Sequence, residues 1–208
     1  MPTSITIALD IMSGDNGPSP ALTGAFKSLD LLDDLKIILV GDESLIENRI
    51  ASTNKNRVEI VHTDEFIKMD EDLVHAIRNK KKSSMRLAVN CVKEAKAQAC
   101  VSAGNTGALM SISKIILKTI NGIDRPAICS LVPNKKNYSL MLDLGANVIV
   151  SGSNLFQFAL MGFCYFSIIN NKRKPTIGIL NIGTENNKGL EFLQEAADLI
   201  LSSFLKEN

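Results

Sequence analysis

Short runs of β-branched and aliphatic residues alternate with stretches of helical spacing along this chain. Runs at 5–9, 36–40, 58–61, 99–102, 127–132, 139–144 and 176–180 read as strands. Between them, 21–32 carries Leu22, Phe26, Leu29 and Leu32 at helical spacing, and 45–51, 84–98, 104–119, 155–169 and 188–206 read as further helices. Four- to six-residue strands separated by helices imply an α/β sheet with helices on both faces. Several runs are apolar throughout, as parallel strands covered on both faces are. The two runs flanking 133–137 read as an antiparallel hairpin. No repeat, low-complexity stretch or linker interrupts the pattern, so one domain spanning 1–208 is expected.

Composition narrows the function classes. Hydrophobic residues make up 45% and charged residues 22%, which excludes a disordered chain. Twenty-three basic and 22 acidic residues leave a net charge of +1, so no nucleic acid is held by bulk charge. Cys91, Cys100, Cys129 and Cys164 form no C-x-x-C pair, so neither a zinc site nor a disulfide framework is expected. They read as small apolar residues in a reducing compartment. The first residues lack a basic region and a cleavage site, so no signal peptide is expected. Residues 155–169, LFQFALMGFCYFSII, number fifteen, fewer than the roughly 20 a bilayer span needs. The segment reads as a helix buried on all sides, partly against a second subunit.

Chemistry is expected where a parallel sheet collects its loops, at the carboxyl ends of the strands. Residues 10–18, DIMSGDNGP, bring Asp10, Gly14 and Asp15 directly after the first strand. Residues 102–108, SAGNTGA, lie between a strand and a helix. Gly104 and Gly107 allow close backbone approach, Asn105 or Thr106 is a suitable N-cap, and free amides at a helix start bind anions. The spacing is neither G-x-G-x-x-G nor the P-loop pattern, so no nucleotide is implied. Residues 143–147, DLGAN, contain Asp143 and Asn147; residues 181–189, NIGTENNKG, contain Gly183 and Lys188. A lysine at a helix start opposes the dipole unless an anion is bound.

Two basic features accompany these loops. Arg125, in GIDRP, either forks onto an anion or pairs with Asp124. Residues 78–86, RNKKKSSMR, hold Arg78, Lys80, Lys81, Lys82 and Arg86 with no acid among them. That cluster is either a solvated face or a dock for an acidic partner. No G-x-S-x-G elbow is present. His62 ends a strand and is an acid–base candidate as much as a satisfied strand-end histidine, and neither histidine has metal-ligand spacing.

The stretches ALDIMSGDNGP, VHTDEFIKMDED, RNKKKSSMRLAV, VSAGNTGALM, GIDRPAI, LDLGAN, NLFQFALMG and GILNIGTENNKG, in this order, resemble the phosphate acyltransferase family of bacterial phospholipid synthesis (PlsX) over residues 4–195. The resemblance implies a three-layer α/β/α sandwich similar to isopropylmalate dehydrogenase and phosphotransacetylase. It implies transfer of a long-chain fatty acyl group from acyl carrier protein to inorganic phosphate, with no cofactor and no metal. It also implies a homodimer in the cytoplasm, loosely associated with the inner face of the membrane.

On that reading Asn105, Asn147, Lys188 and His62 are the catalytic candidates. Asp10, Gly14, Asp15, Ser102, Gly104, Thr106, Gly107, Arg125, Asp143 and Gly183 are the candidates for binding phosphate and acyl group. Arg78, Lys80, Lys81, Lys82 and Arg86 would dock the carrier. One departure is Ser13-Gly14, where the family pattern usually has two glycines. The other is length, since the resemblance implies a longer protein whose last third is lacking here. The alternatives are therefore a non-catalytic fragment of such an enzyme, or a phosphotransacetylase using coenzyme A.

Overall fold

The computed structural model describes residues 4–50, 52–135, 137–170, 175–183 and 188–207. The sequence reads as one domain; the structure packs as two compact units, Met1–Lys118 and Thr119–Asn208.

In the first unit, β1 (Ile5–Asp10), β2 (Leu35–Gly41), β3 (Val58–His62) and β4 (Ala99–Ser102) form one sheet in the order β3-β2-β1-β4. Every pairing is parallel. The helices are α1 (Pro18–Leu31), α2 (Glu43–Ile46), α3 (Leu73–Asn79), α4 (Ser84–Lys93) and α5 (Thr106–Leu117). The pleat of β2 sorts its side chains to two sides. Ile37 and Leu39 join Leu22, Ala25 and Leu29 of α1 in one core. Ile38 and Val40 join Ala88 and Cys91 of α4 in another. A third cluster gathers Ala76 of α3, Met85 and Val89 of α4, and Ala108 and Ile112 of α5. This is the expected helix–sheet–helix layering. It depends on runs with no polar alternation, because both faces of the strand are covered.

Local chemistry sets the helix ends. Gly17 at positive φ and Pro18 open α1. Asp72 caps α3, its side chain accepting from the His75 amide. Expected to reach residue 98, α4 stops at Lys93, and Ala95 follows at φ 57°. The helix read over 45–51 is instead the single turn α2 followed by a 3-10 turn, Glu47–Arg49, with Ala51 outside the described residues.

The second unit contains the antiparallel hairpin β5 (Cys129–Pro133) and β6 (Tyr138–Leu142), then α6 (Gly152–Asn170) and α7 (Glu191–Leu201). A two-stranded ribbon is marginal alone and needs a packed face. Here α6 supplies it. Gly162 lies so close to β6 that a Cβ there would stand 2.8 Å from Leu142 Cδ1. The Tyr138 and Phe166 rings meet edge-on at 6.0 Å, and the Tyr138 hydroxyl bonds Asn170. The α7 residue Glu195 accepts from the Gly152 amide at 3.1 Å.

One expectation fails in this unit. Residues 176–180 join no sheet among the described residues, because a strand exists only with a ladder partner. Within a single copy of the chain, helix α6 is covered over part of its surface only. It runs 19 residues, long and apolar enough to cross a membrane by length and composition, yet only 17% of its most apolar window is buried. Its covered residues, Gly152, Asn154, Gln157 and Phe158, lie in its first half, while Tyr165, Ile168 and Ile169 are exposed.

Candidate functional site

In the first unit the chain winds outward through β2 and β3 on one side of β1, then returns to place β4 on the other. The strand order therefore reverses between β1 and β4, and the carboxyl ends of these two strands frame the crevice where such sheets bind ligands.

The register pairs Asp10 with Ser102 across that crevice. Asp10 is fully buried. Its Oδ2 accepts from Ser102 Oγ at 2.7 Å, and its Oδ1 from the amides of Met12 and Ser13 at 3.1 and 3.3 Å. The Ser102 hydroxyl in turn accepts from the Gly104 amide at 3.1 Å. Both oxygens of the carboxylate are thus engaged, so Asp10 ties the two loops together beneath the surface instead of facing a ligand. Asp15 is exposed, after Gly14 at φ 114°.

The second loop leads into α5. Asn105 is the N-cap, its Oδ1 accepting from the Ala108 amide at 3.1 Å. Its Nδ2 donates to the Met69 carbonyl at 3.0 Å and so ties in the loop that follows β3. Thr106 and Gly107, as first helical residues, have no carbonyl one turn back, so their amides are available to an anion. Gly104 is sterically obligatory, since a Cβ there would stand 2.5 Å from Ser13 Cβ and 2.8 Å from Met85 Cε. A Cβ on Gly107 would meet Leu73 Cδ1 at 3.0 Å.

Other candidates are placed differently. His62 ends β3 at the sheet edge, with β2 between it and β1, and its Nδ1 accepts from the Glu43 amide at 3.2 Å. The structure does not bring it to the β1–β4 crevice. The basic cluster is not one solvated face. Lys80 bonds Glu71 Oε2 at 2.5 Å and the Phe66 carbonyl at 2.7 Å. Its ammonium holds the Glu71 carboxyl below its ordinary pKa. Arg86 is buried and donates to the Ile77 carbonyl at 2.8 Å. Arg78, Lys81 and Lys82 remain exposed.

In the second unit, Asp143 adopts φ 63° and its Oδ1 accepts from Asn147 Nδ2 at 2.9 Å. Asn147 also donates to the Pro126 carbonyl at 3.1 Å, closing that loop against the segment that carries Arg125. Arg125 does not pair with Asp124. Asp124 accepts from Gln157 Nε2 at 2.7 Å, whereas Arg125 Nη1 donates to the Ile149 carbonyl at 3.0 Å and the rest of its exposed guanidinium is uncommitted. Lys188 lies two residues before Leu190, the N-cap of α7, and so stands just outside the helix. Gly183 is half-buried, and 184–187 lie outside the described residues. A cleft of about 480 Å³ along α7 is lined by Glu191, Gln194, Glu195, Asp198, Leu199 and Ser202. Three carboxylates give it the wrong sign for an anion.

Among the described residues no group of three or more His, Cys, Asp and Glu side chains is placed to hold a metal ion. The thiol of Cys100, on β4, is pushed up to about 12 by burial and then by the nearby Asp10 charge, so it is no nucleophile at neutral pH. The sequence reading passed over the loop after β3. Its Thr63 is buried, and Thr63 Oγ1 donates to the Lys82 carbonyl at 2.8 Å, tying the start of this loop to the turn before α4. The acid-rich stretch TDEFIKMDED was the available signal.

Similarity to known proteins agrees with this architecture. The chain is 49% identical over 205 residues to a protein of Nitrosococcus oceani named phosphate acyltransferase, covering 97% of this chain and 60% of the relative. The namesake protein of Hydrogenovibrio crunogenus is 46% identical over 202 residues, covering 96% and 60%. The chain thus spans about 60% of the length of the curated relatives it matches. Among solved structures, the EutD phosphotransacetylase from Staphylococcus aureus superposes with a TM-score of 0.67 at 18% identity, covering 99% of this chain and 66% of that one. A branched-chain phosphotransacylase from Enterococcus faecalis V583 gives 0.53 at 14%, covering 80% and 52%. These two likenesses establish the fold alone. A family model described as fatty acid synthesis protein matches residues 5–207, and to that family this chain belongs.

Proposed function

We propose that this chain carries the phosphate-binding part of an enzyme that moves a long-chain acyl group from acyl carrier protein to inorganic phosphate, yielding acyl phosphate for phospholipid synthesis. The observation that carries the reading is the start of α5. Its first amides, capped by Asn105 and approached through Gly104, open beside the switch point between β1 and β4. An oxyanion held there is oriented by fixed dipoles and faces no catalytic group that must first be deprotonated. Its free oxygen attacks the thioester carbonyl. A C–O bond forms, the C–S bond breaks, and the carrier thiolate leaves, so the step is redox-neutral. Orientation of the two reactants supplies much of the barrier lowering.

Arg78, Lys81 and Lys82 are the exposed cations for an acidic carrier; Lys80 and Arg86 are committed to contacts within the chain. The reading also carries a homodimer, cytoplasmic and peripheral at the inner face of the membrane. The exposed apolar length of α6 supports such association. The competing reading, a non-catalytic fragment, is favoured by the exposed Val148, Ile149, Leu180 and Ile182 of the second unit.

The test is phosphate-dependent release of free thiol from a long-chain acyl carrier protein with this chain as catalyst. Release is expected to saturate with phosphate and to be lost in Asn105→Ala. Charge reversal at Lys81 and Lys82 is expected to raise KM for the carrier and leave KM for phosphate unchanged. No release from folded chain selects the non-catalytic reading.

A further inference from the structure

Among the described residues, three buried side-chain polar atoms have no hydrogen-bond partner: Ser13 Oγ, Ser84 Oγ and Arg86 Nε. Such atoms are few in folded proteins, and each asks for a reason. Arg86 is anchored elsewhere through the Ile77 carbonyl. Ser13 is not explained in that way. It is 1% exposed. Its amide is held on Asp10 Oδ1. Its hydroxyl lies 3.1 Å from where a Cβ on Gly104 would stand, immediately before the Asn105 cap of α5. Met85, next in sequence to Ser84, touches the same glycine. The unsatisfied hydroxyl of Ser13 therefore stands at the mouth of the helix whose first amides are themselves open to an acceptor.

We propose that Ser13 is a direct ligand of the phosphoryl oxyanion, its Oγ–H donating to an oxygen that also receives the amides of Thr106 or Gly107. The proposal rests on the phosphate reading above and deepens it by naming a side chain that the helix amides do not supply. The physical reason is complementary need. A buried hydroxyl with no acceptor has given up its water hydrogen bonds for nothing, and a bound anion restores that loss as a charge-assisted bond. Access requires the turn over 14–17 to lift while Ser13 stays anchored on Asp10. Gly14 and Gly17, both at positive φ, stand on either side of the exposed Asp15 and Asn16 as its joints.

Binding of inorganic phosphate to this chain, followed by calorimetry, tests the proposal. The variants are Ser13→Ala and Ser13→Gly, and each protein's thermal midpoint is first measured without phosphate. The expected result is roughly tenfold weaker phosphate binding in both variants, with phosphate-free midpoints no lower than that of the parent. Unchanged affinity in variants of a parent that does bind phosphate overturns the role of Ser13 and leaves the phosphate reading standing. Lost affinity accompanied by a lowered phosphate-free midpoint makes the hydroxyl structural and also overturns the proposal. A folded parent that binds no phosphate overturns the phosphate reading, and Ser13 falls with it.

Discussion

Replacing Gly104 with alanine places a methyl group where Ser13 and Met85 already stand. The new Cβ would be 2.5 Å from Ser13 Cβ, 2.8 Å from Met85 Cε and 3.1 Å from Ser13 Oγ. The two neighbours differ in what they can concede. Met85 Cε ends a flexible side chain and can swing aside. Ser13 Cβ cannot, because its backbone is held through the Asp10 carboxylate. Overpacking a site of this kind costs about 1–3 kcal/mol, and the rigid neighbour puts Gly104→Ala near ~2 kcal/mol. With a urea m-value of ~2 kcal/mol/M, the midpoint should fall by about 1 M at unchanged slope. The chain has no tryptophan, so circular dichroism is the appropriate signal. The decisive arm is the double variant. In a Ser13→Gly background the two Ser13 atoms nearest the new methyl are gone and the flexible Met85 remains, so the cost of Gly104→Ala should drop by ~1 kcal/mol or more. If Gly104→Ala costs the same in both backgrounds, the close approach of the two loops is not what excludes a side chain at Gly104.

Three further outcomes are expected. Asp10→Ala strips one acceptor from the Ser102 hydroxyl and the Met12 and Ser13 amides, and should cost about 2–4 kcal/mol by chemical denaturation; a loss under ~0.5 kcal/mol would contradict the buried tie. Alkylation of the native chain at pH 8, read by mass spectrometry, should label the exposed Cys129 and Cys164 first. Cys91 and Cys100, whose thiols burial pushes upward, should follow only after unfolding. Glu71 is held below its ordinary pKa by Lys80, so its contribution is present above the ordinary glutamate range and lost as pH falls through the depressed value. The denaturation midpoints of the parent and Glu71→Gln should therefore differ at pH 6 and converge under strongly acidic conditions; a gap that persists in acid contradicts the pairing.

The parallel core could be read from the chain because its strands are apolar on both faces, and 36–40 announces that by itself. What escaped depends on distant partners. Residues 176–180 look like β1 in composition, yet a strand is defined by its ladder, which composition cannot supply. Helix α3 carries a sequence sign in its Asp72 cap, but seven residues give too few turns for periodicity to register. In the run 78–86, spacing shows five cations. Only the fold shows that Glu71 and the Ile77 carbonyl have taken Lys80 and Arg86. The SAGNTGA loop was evident as a helix entrance, and residue type narrowed its cap to Asn105 or Thr106, of which the fold uses Asn105. The distance of His62 from that loop was not, because strand order is not written in any local segment.

That strand order has a kinetic consequence. The central strand β1 comes first in the chain, and one of its two neighbours, β4, comes last of the four, with Asp10 and Ser102 92 residues apart. At synthesis rates of about 5–20 residues per second, β1 spends several seconds or more with one edge open before β4 emerges. Until then it has only β2 beside it, and the unfilled edge is a template for any extended segment nearby. Closing so long a loop comes late and favours a slow final step. The bond between Asp10 and Ser102 is therefore among the last in this sheet to form on the ribosome, and the crevice between β1 and β4 comes into being together with the sheet's completion. Slowing translation across the segment between β3 and β4 would lengthen the interval in which the nascent chain is exposed to wrong pairing.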